Sequence, residues 1–292
     1  MEKKHSRKLS DGKFSFVGYA NELGVKNSGG RLGSKEGPER FLAYFNQLRG
    51  SWPLQELLSE QRILFSGGNL EEDYGHAVQE TKAILNAMKG KRDVLLALGG
   101  GHDNAYPWIK SLRECHSKKI RIACINLDAH FDLRGWTPLM TSGSPFRRLI
   151  DEGIIEGKNL VEFGIQAHCN PPELWDFAKK EKVKIIRFET LRNGKAVSAF
   201  KRELKQLRTK CDLIALSVDL DALSFAYSPG VSAPQAEGFI ASELFQMLEL
   251  AGRDPKVRSL GIFELAPALD FQDLTARLAA QSAWHFLNAK LS

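Results

Sequence analysis

The chain has 292 residues, of which 43% are hydrophobic and 26% charged, a balance typical of soluble globular proteins that excludes a disordered or collagen-like chain. Its four cysteines are widely spaced without a C-x-x-C pair, which argues against a zinc ribbon or a disulfide framework. The formal net charge of +6 comes from scattered basic residues, so we expect solvated faces, no nucleic-acid partner and an anionic small-molecule substrate.

The N-terminal segment MEKKHSRKLSDGK is basic and is followed by neither the apolar segment nor the cleavage site of a signal peptide. Because no membrane span is evident, we expect a cytoplasmic protein without a membrane partner. Residues 1–13 are expected to form a flexible basic tail. No low-complexity linker or repeat divides the chain, so we predict a single domain over residues 1–292.

Short apolar runs alternate with amphipathic segments along the whole chain. The predicted strands cover residues 14–18, 62–65, 94–98, 121–127, 160–165, 184–188, 213–218 and 259–264. The predicted helices cover residues 38–48, 73–88, 104–115, 146–150, 172–180, 196–207, 241–251 and 271–287. Parallel strands need crossover connections, which helices supply, so this alternation predicts a three-layer α/β/α fold with a single, mostly parallel sheet of about eight strands.

The predicted strand 121–127 runs directly into Asp128, His130 and Asp132. Side chains alternate faces along an extended backbone, so these three side chains point the same way as the strand ends. Two close carboxylates raise one another's pKa unless a cation lies between them, and beside a histidine the expected cation is a metal ion. A solvated turn after a strand explains one acid but not this D-x-H-x-D pattern.

Two further strand ends carry similar residues. Strand 94–98 opens into a glycine turn and His102, and strand 213–218 is followed by Asp219 and Asp221. The carboxyl ends of parallel strands share one edge of the sheet, where ligands bind, so the three ends meet in one crevice. The candidate metal ligands are His102, Asp128, His130, Asp132, Asp219 and Asp221. Four carboxylates balance two divalent cations, and one imidazole per metal favours manganese over zinc or copper.

Four motifs make the chain resemble the ureohydrolase family of arginases, agmatinases and formimidoylglutamases. They occur in the family's order and are GGGHD at 99–103, NLDAHFDLR at 126–134, SVDLDA at 217–222 and ELAP at 264–267. The resemblance spans the chain from Gly18 onward and implies an arginase-like fold with two Mn²⁺ per chain. The ligands it implies are Asp128 and Asp219 as bridges, His102 and Asp132 at one metal, and His130 and Asp221 at the other.

The resemblance also implies two catalytic residues. Metal coordination lowers the pKa of water, which then attacks an electron-poor amidine or guanidine carbon. Glu264 resembles the family's carboxylate that pairs with the cationic C–N group of the substrate and orients that carbon. Asp132, beside the bridging position, is expected to carry the proton to the leaving nitrogen. An ordinary acid at a strand end is the alternative interpretation of Glu264.

Several segments favour the formimidoylglutamase branch, whose members hydrolyse N-formimidoyl-L-glutamate to glutamate and formamide in histidine degradation. Phe146 occupies the place of the arginase histidine proton shuttle, and Ser224-Phe225 replaces the x-x-Asp-Pro of arginases and agmatinases. The NSGGRLG loop at 27–33 and the SPGVSAP segment at 228–234 look most like formimidoylglutamase. Asn104-Ala105-Tyr106 after GGGHD departs from the commonest sequence of that branch.

Three residues are candidates for binding the substrate's acid end. Arg134 stands where arginases have an asparagine facing the substrate's α-carboxylate, and an arginine there binds a carboxylate bidentately. Arg31 in the glycine loop would serve the second carboxylate, and Ser142 lies in the loop after D-x-H-x-D. The alternatives are a structural role for Arg134 and a surface charge for Arg31.

Two other functions stay open from the sequence. A diverged ureohydrolase would act on another guanidino or amidino compound, as arginases and agmatinases do. A binding or scaffold protein would keep the fold without turnover. The resemblance also leaves a homo-oligomer open, because relatives commonly form trimers or hexamers.

Overall fold

The computed structural model describes residues 12–49 and 54–291. Most of the tail predicted at residues 1–13 lies outside these ranges. Of its last two residues, Lys13 donates its backbone N–H to Oδ1 of Asp93 at 3.0 Å and accepts the backbone N–H of Val94 at 3.0 Å. The chain is therefore tied to the sheet at Lys13, one residue before the first strand begins.

The strands of the described residues form one eight-stranded sheet in which every strand pairing is parallel. They are β1 Phe14–Ala20, β2 Leu58–Phe65, β3 Val94–Gly99, β4 Ile122–Leu127, β5 Leu160–Ile165, β6 Lys184–Arg187, β7 Leu213–Asp219 and β8 Val257–Phe263. Their order across the sheet is β2-β1-β3-β8-β7-β4-β5-β6. The central strands read as continuous apolar runs because helices cover both of their faces.

Helices fill the connections between the strands. They are α1 Leu23–Asn27, α2 Gly37–Phe45, α3 Leu54–Leu57, α4 Leu70–Ala87, α5 Ala105–Glu114, α6 Pro145–Asp151, α7 Pro172–Lys180, α8 Ala196–Lys210, α9 Ala241–Arg253 and α10 Leu274–Leu291. The sheet divides the core in two. Leu96 of β3 packs in a cluster with α2, α8, α9 and α10, and its neighbour Leu95 packs in a cluster with α4, α5, α6 and α7. The predicted three-layer α/β/α fold is confirmed.

The differences between predicted and observed helix boundaries have local causes. Helix α4 begins at Leu70, three residues before the prediction, because the side chain of Asn69 accepts the backbone N–H groups of Glu71 and Glu72. Helix α10 begins three residues after the prediction. There the carboxylate of Asp270 accepts the backbone N–H groups of Thr275 and Ala276, which satisfies two amides of the first helical turn.

The strand order brings the chemistry to the middle of the sheet. Strands β3, β8, β7 and β4 are consecutive neighbours. Their carboxyl ends lead into His102, Glu264, Asp219 and Asp128, respectively. Parallel strands present these ends at one edge, so four distant parts of the sequence converge on one site.

Candidate metal centre

Six side chains converge as two groups that share Asp128. In the first group, Nδ1 of His102 lies 2.9 Å from Asp132 Oδ2, 3.0 Å from Asp219 Oδ2 and 3.1 Å from Asp128 Oδ2. The second group contains Asp128, His130 and Asp221, and Nδ1 of His130 lies 3.1 Å from Asp221 Oδ2 and 3.5 Å from Asp128 Oδ1. Potential ligand atoms within each group all lie within 4.8 Å of one another. All six predicted ligands therefore meet, with Asp219 in the first group and not in the second.

Short backbone hydrogen bonds fix the orientation of the two central carboxylates. Asp128 accepts the backbone N–H of His130 through Oδ1 at 2.7 Å, and Asp219 accepts the backbone N–H of Asp221 through Oδ1 at 2.8 Å. Aspartate side chains commonly bond the amide two residues further on, at the point where a strand gives way to a turn. The D-x-H and D-x-D spacings thus hold one oxygen of each aspartate and leave the other facing the cluster.

The ring of His102 is held on all sides. It stacks on Phe263 with ring centroids 4.9 Å apart and meets the edge of Phe146 at 5.6 Å. Its Nε2 lies 2.8 Å from Oγ of Ser217. A metal-binding histidine typically uses its second nitrogen in this way, which fixes the ring orientation and leaves Nδ1 for the metal.

The glycine turn before His102 is required by close packing. A Cβ on Gly100 would lie 1.8 Å from the carbonyl oxygen of Asn21. The backbone N–H of Gly101 also donates to that oxygen, at 3.0 Å. Any larger residue at position 100 would therefore push the turn, and His102 with it, away from the segment that precedes α1.

The pKa directions in the metal-free protein reflect buried negative charge. Burial disfavours a charged His102, but Asp132 and its neighbouring carboxylates outweigh burial and hold the pKa of His102 well above its usual range. Burial and the adjacent Asp221 raise the pKa of Asp219 well above its usual range. Burial also raises the pKa of Asp221 to about 7, although the charge of His130 opposes it. Buried carboxylates stay ionised only when a nearby cation compensates their charge.

The donor atoms fit a divalent metal. Nδ1 of His102, Oδ1 of Asp221 and Oε2 of Glu264 are buried and make no hydrogen bond to any described residue. Three carboxylate oxygens approach the His102 nitrogen within 3.1 Å, but none of them makes a hydrogen bond to it. Buried nitrogen and oxygen atoms without hydrogen-bond partners are expected where a metal ion or another ligand binds. Four carboxylates and two imidazoles suit Mn²⁺ better than copper or a structural zinc.

Both predicted catalytic acids have unusual backbone conformations. Asp132 has a φ of 51° and Glu264 has a φ of 67°. Positive φ is uncommon for residues other than glycine, and such strain concentrates at functional sites. Hydrogen bonds hold both residues in place, since Glu264 donates its N–H to the carbonyl of Gly100 at 2.9 Å and Asp132 accepts the N–H of Phe146 at 3.2 Å.

A cavity of about 200 Å³ opens over the cluster. Its walls include Arg134 and Ser142, two of the residues proposed from the sequence to bind substrate, together with Glu264 and Asp132. Arg31 does not belong to the lining. Its Nε donates to the carbonyl of Ser232 at 2.8 Å and its Nη2 to the carbonyl of Val231 at 2.7 Å, so it fastens the glycine loop to the SPGVSAP segment.

The lining also includes residues that the sequence did not single out, among them Cys169 and Asn170. Asn170 supports the D-x-H-x-D loop, because its Oδ1 accepts the N–H of Phe131 at 2.9 Å and its Nδ2 donates to the carbonyl of Ala129 at 2.9 Å. Only their position after the carboxyl end of β5 could have indicated that these two residues lie at the site. No spacing or motif distinguishes them from other loop residues.

The chain is similar in sequence and in fold to known enzymes. A formimidoylglutamase from Staphylococcus haemolyticus is 32% identical over 276 residues, which cover 93% of this chain and 85% of that protein. A formimidoylglutamase from Bacillus subtilis is 36% identical over 226 residues, which cover 77% of this chain and 69% of that protein. The crystal structure of Trypanosoma cruzi formiminoglutamase with Mn²⁺ has a TM-score of 0.84 at 26% identity, covering 98% of this chain and 96% of the other.

Within the described ranges, no helix has the length and apolar character needed to cross a membrane. The family model named Arginase family matches residues 13–288, which is nearly the whole chain and includes every proposed ligand. Together with the relatives of high coverage and the shared fold, this match identifies the family. The chain belongs to the arginase family and is a metal-dependent hydrolase.

Proposed function

We propose that this protein hydrolyses N-formimidoyl-L-glutamate to L-glutamate and formamide, using two manganese ions per chain. The observation that carries the proposal is the pair of buried ligand groups that share Asp128. Relatives named formimidoylglutamase or formiminoglutamase, one of them solved with Mn²⁺, support the choice of substrate and metal. Histidine and carboxylate donors together are a set that manganese binds well.

The metal ligands are assigned from the two groups. We assign His102, Asp128, Asp132 and Asp219 to one ion and Asp128, His130 and Asp221 to the other. A bridging role for Asp219 as well as Asp128 is part of the proposal and rests on the resemblance of the D-x-D motif. When bound, a metal pair of this kind supplies activated water as a nucleophile at neutral pH.

Glu264 is proposed to orient the substrate. Its Oε1 accepts the backbone N–H of His102 at 2.8 Å, and its buried Oε2 is free of hydrogen bonds to the described residues. Oε2 would accept an N–H of the cationic amidine and so fix the carbon under attack. The oxygen of water bonds to that carbon, the C–N bond to the glutamate nitrogen breaks, and Asp132 passes a proton to this nitrogen.

The acid end of the substrate is proposed to contact Arg134. Its side chain lines the cavity on the same wall as Ser142, and its backbone N–H donates to the carbonyl of Gly143 at 2.8 Å, which holds the two segments together. Ser142 would add a neutral hydroxyl donor. The contacts of Arg31 with two carbonyls support a loop-holding role for it, in place of the expected contact with the second carboxylate.

The proposal also covers the domain organisation, the cellular compartment and the oligomeric state. The family match over residues 13–288 supports one arginase-like catalytic domain for the chain 1–292. All four cysteines are free thiols, which supports a reducing, cytoplasmic compartment. A homo-oligomer is proposed from the resemblance alone.

The test is product release from manganese-loaded protein. Protein is incubated with N-formimidoyl-L-glutamate, L-arginine or agmatine, and formamide, urea and ammonia are measured. We expect formamide from the first substrate and little urea from the others. Urea without formamide would favour another ureohydrolase activity, and no product from metal-loaded protein on a wider amidine panel would favour a non-catalytic role.

A further inference from the structure

A row of buried polar residues lies beneath the metal centre. Asn126 of β4 is the register partner of Glu162 on β5 and of Ser217 on β7. Register partners on neighbouring strands lie side by side, so these side chains can interact across the sheet. All three residues are 0% exposed. The sheet therefore carries a polar row at a depth where its other side chains are mainly apolar.

Asn126 joins this row to the metal centre. Its Nδ2 donates to Oδ2 of Asp128 at 3.2 Å and to Oε2 of Glu162 at 3.0 Å. A primary amide nitrogen carries two hydrogens, so these two bonds use its whole donor capacity. Asp128 is the carboxylate that both ligand groups share. Glu162 is thus one hydrogen-bonded residue away from the central ligand.

A buried acid at position 162 costs stability. Its neighbours in β5, Val161 and Phe163, are apolar and buried. Replacement of a whole buried polar or ionic pair by apolar residues of similar volume is often neutral or stabilising, whereas loss of one partner leaves the other unpaired. Packing alone therefore favours apolar side chains at both 126 and 162, and the polar pair requires another explanation.

Each residue of the pair also has a buried oxygen without a hydrogen-bond partner among the described residues, Oε1 of Glu162 and Oδ1 of Asn126. Burial, opposed by the hydrogen bond from Asn126, raises the pKa of Glu162 well above its usual range. A neutral carboxylic acid offers an acceptor and a donor, and a glutamine at 162 offers the same two.

We propose that Glu162 is a positioning residue, which holds the amide of Asn126 in the orientation that donates to Asp128 and so strengthens manganese binding. Partners that hydrogen-bond to a metal ligand orient it, and their loss typically weakens metal affinity by about 10- to 100-fold. The inference rests on the proposed role of Asp128 as a shared ligand. It assigns the polar pair Asn126–Glu162 to the metal centre and not to the stability of the sheet.

The test compares two variants of the full-length protein. Glu162→Met has a similar shape without polar atoms, and Glu162→Gln keeps the hydrogen-bonding pattern. We measure the dissociation constant for Mn²⁺ by titration of metal-free protein, and the melting temperature of that same protein. Glu162→Met should bind Mn²⁺ about 10- to 100-fold more weakly. Its melting temperature should also fall, because one N–H of Asn126 loses its acceptor, so the affinity is compared with that of a variant destabilised elsewhere in the sheet. Glu162→Gln should stay within about threefold of the wild-type dissociation constant.

Kinetics and a double variant separate positioning from folding. At saturating Mn²⁺ the KM of Glu162→Met should equal that of the wild type, because the substrate does not contact position 162. Asn126→Ala should weaken Mn²⁺ binding to a similar degree, and Asn126→Ala combined with Glu162→Met should weaken it no further. If Glu162→Met does not fold, the Asn126→Ala and Glu162→Gln measurements decide the question. Unchanged affinity in Asn126→Ala would then overturn the proposal.

Ser259→Ala is the matched control in the same sheet. Ser259 is 0% exposed, accepts the indole N–H of Trp108 at 2.8 Å and donates to the carbonyl of Leu95 at 3.1 Å. The Ser259→Ala substitution should lower the melting temperature and leave the affinity for Mn²⁺ unchanged. If Glu162→Met binds Mn²⁺ with wild-type affinity, the inference about Glu162 is overturned, but the proposed function is not. Failure of the wild-type protein to bind Mn²⁺ would instead overturn the proposed function.

Discussion

The backbone N–H of His102 donates a 2.8 Å hydrogen bond to Oε1 of Glu264, across 162 positions of the sequence. This bond joins the proposed metal ligand at the end of β3 to the proposed substrate-binding carboxylate at the end of β8. One oxygen of Glu264 therefore holds the backbone of His102, and the other is the oxygen that we propose binds the substrate. Substitutions at 264 can separate these two roles.

We expect Glu264→Gln to reduce kcat/KM by about 100-fold with little change in metal content. The glutamine keeps an oxygen for the N–H of His102 but loses the negative charge that pairs with the amidine. Steady-state kinetics and elemental analysis check this. Wild-type kcat/KM in the variant would remove Glu264 from the mechanism.

Asp128→Ala should abolish tight binding of both metals. Asp128 belongs to both ligand groups, so its loss removes a donor from each. The wild type should hold about two Mn²⁺ per chain and the variant well under one, with activity lowered by about 100-fold or more. Metal analysis after gel filtration at micromolar Mn²⁺ makes the comparison.

The control for Asp128 is Asp103→Asn. Asp103 is equally buried and accepts the hydroxyl of Tyr74 at 2.7 Å, but it lies outside both ligand groups. The asparagine keeps an acceptor for Tyr74, so the metal content should stay near that of the wild type. Equal losses in Asp103→Asn and Asp128→Ala would show that the ligand assignment is wrong.

The stability of the metal-free protein should fall as the pH rises from about 4 to about 8. Burial raises the pKa of Asp103 to about 6 and that of Asp221 to about 7, so the folded state holds these protons more tightly than the unfolded chain does. The pKa values of His102 and His130 are also raised in the folded protein. Their protonation therefore stabilises the fold below the pKa of the unfolded chain, and this stabilisation is lost as the pH rises through the pKa of the folded state.

Manganese should reverse this pH dependence. The metal displaces protons from its ligands, so its affinity and its stabilising effect both increase with pH. The difference in melting temperature between metal-loaded and metal-free protein should be larger at pH 8 than at pH 6. Calorimetry at the two pH values checks this, and an equal difference would contradict the assignment of buried, protonated ligands.

Arg134→Ala should raise the KM for N-formimidoyl-L-glutamate by an amount corresponding to about 2–5 kcal/mol if a desolvated carboxylate is left unpaired. The metal content should not change, because Arg134 belongs to neither ligand group. A substrate analogue without the carboxylate that Arg134 binds should show a much smaller loss. An unaltered KM for formimidoylglutamate would contradict this assignment.

Arg31→Ala gives a useful contrast. If Arg31 fastens two loops, its loss should impair dicarboxylate and monocarboxylate substrates alike, through disorder of the cavity wall. If it binds the second carboxylate, only the dicarboxylate should suffer. Arg31→Lys should not restore activity in the first case, because an ammonium lacks the planar fork that reaches both carbonyls.

The fold and the convergence of the six proposed ligands were largely predictable because both depend on local patterns. Apolar runs that end in Asp128 or Asp219 identify parallel strands and the edge at which they meet. The pairing of Asn126 with Glu162 depends on which strands are neighbours and on their register. Those relations join residues far apart in the chain, and a hydrophobic pattern does not encode them.

Contacts made by loop residues could not be predicted from the sequence either. Arg31 stands in a glycine-rich loop, and its residue type fits a substrate contact as well as a loop contact. Its direction is set by the carbonyls of Val231 and Ser232, which lie 200 residues or more away in sequence. Helix α1 was likewise missed, because five residues between polar turns carry too little periodicity to reveal a helix.

The left-handed backbone of Glu264 places stability and activity in conflict. A glycine at 264 would adopt a φ of 67° without steric cost, whereas glutamate holds it under strain in a buried setting. A screen that rewards heat resistance alone would thus favour replacing a residue that we propose acts in the reaction. Thermostable variants of this protein should be sought at positions remote from the ends of β3 and β8, with turnover measured in every round.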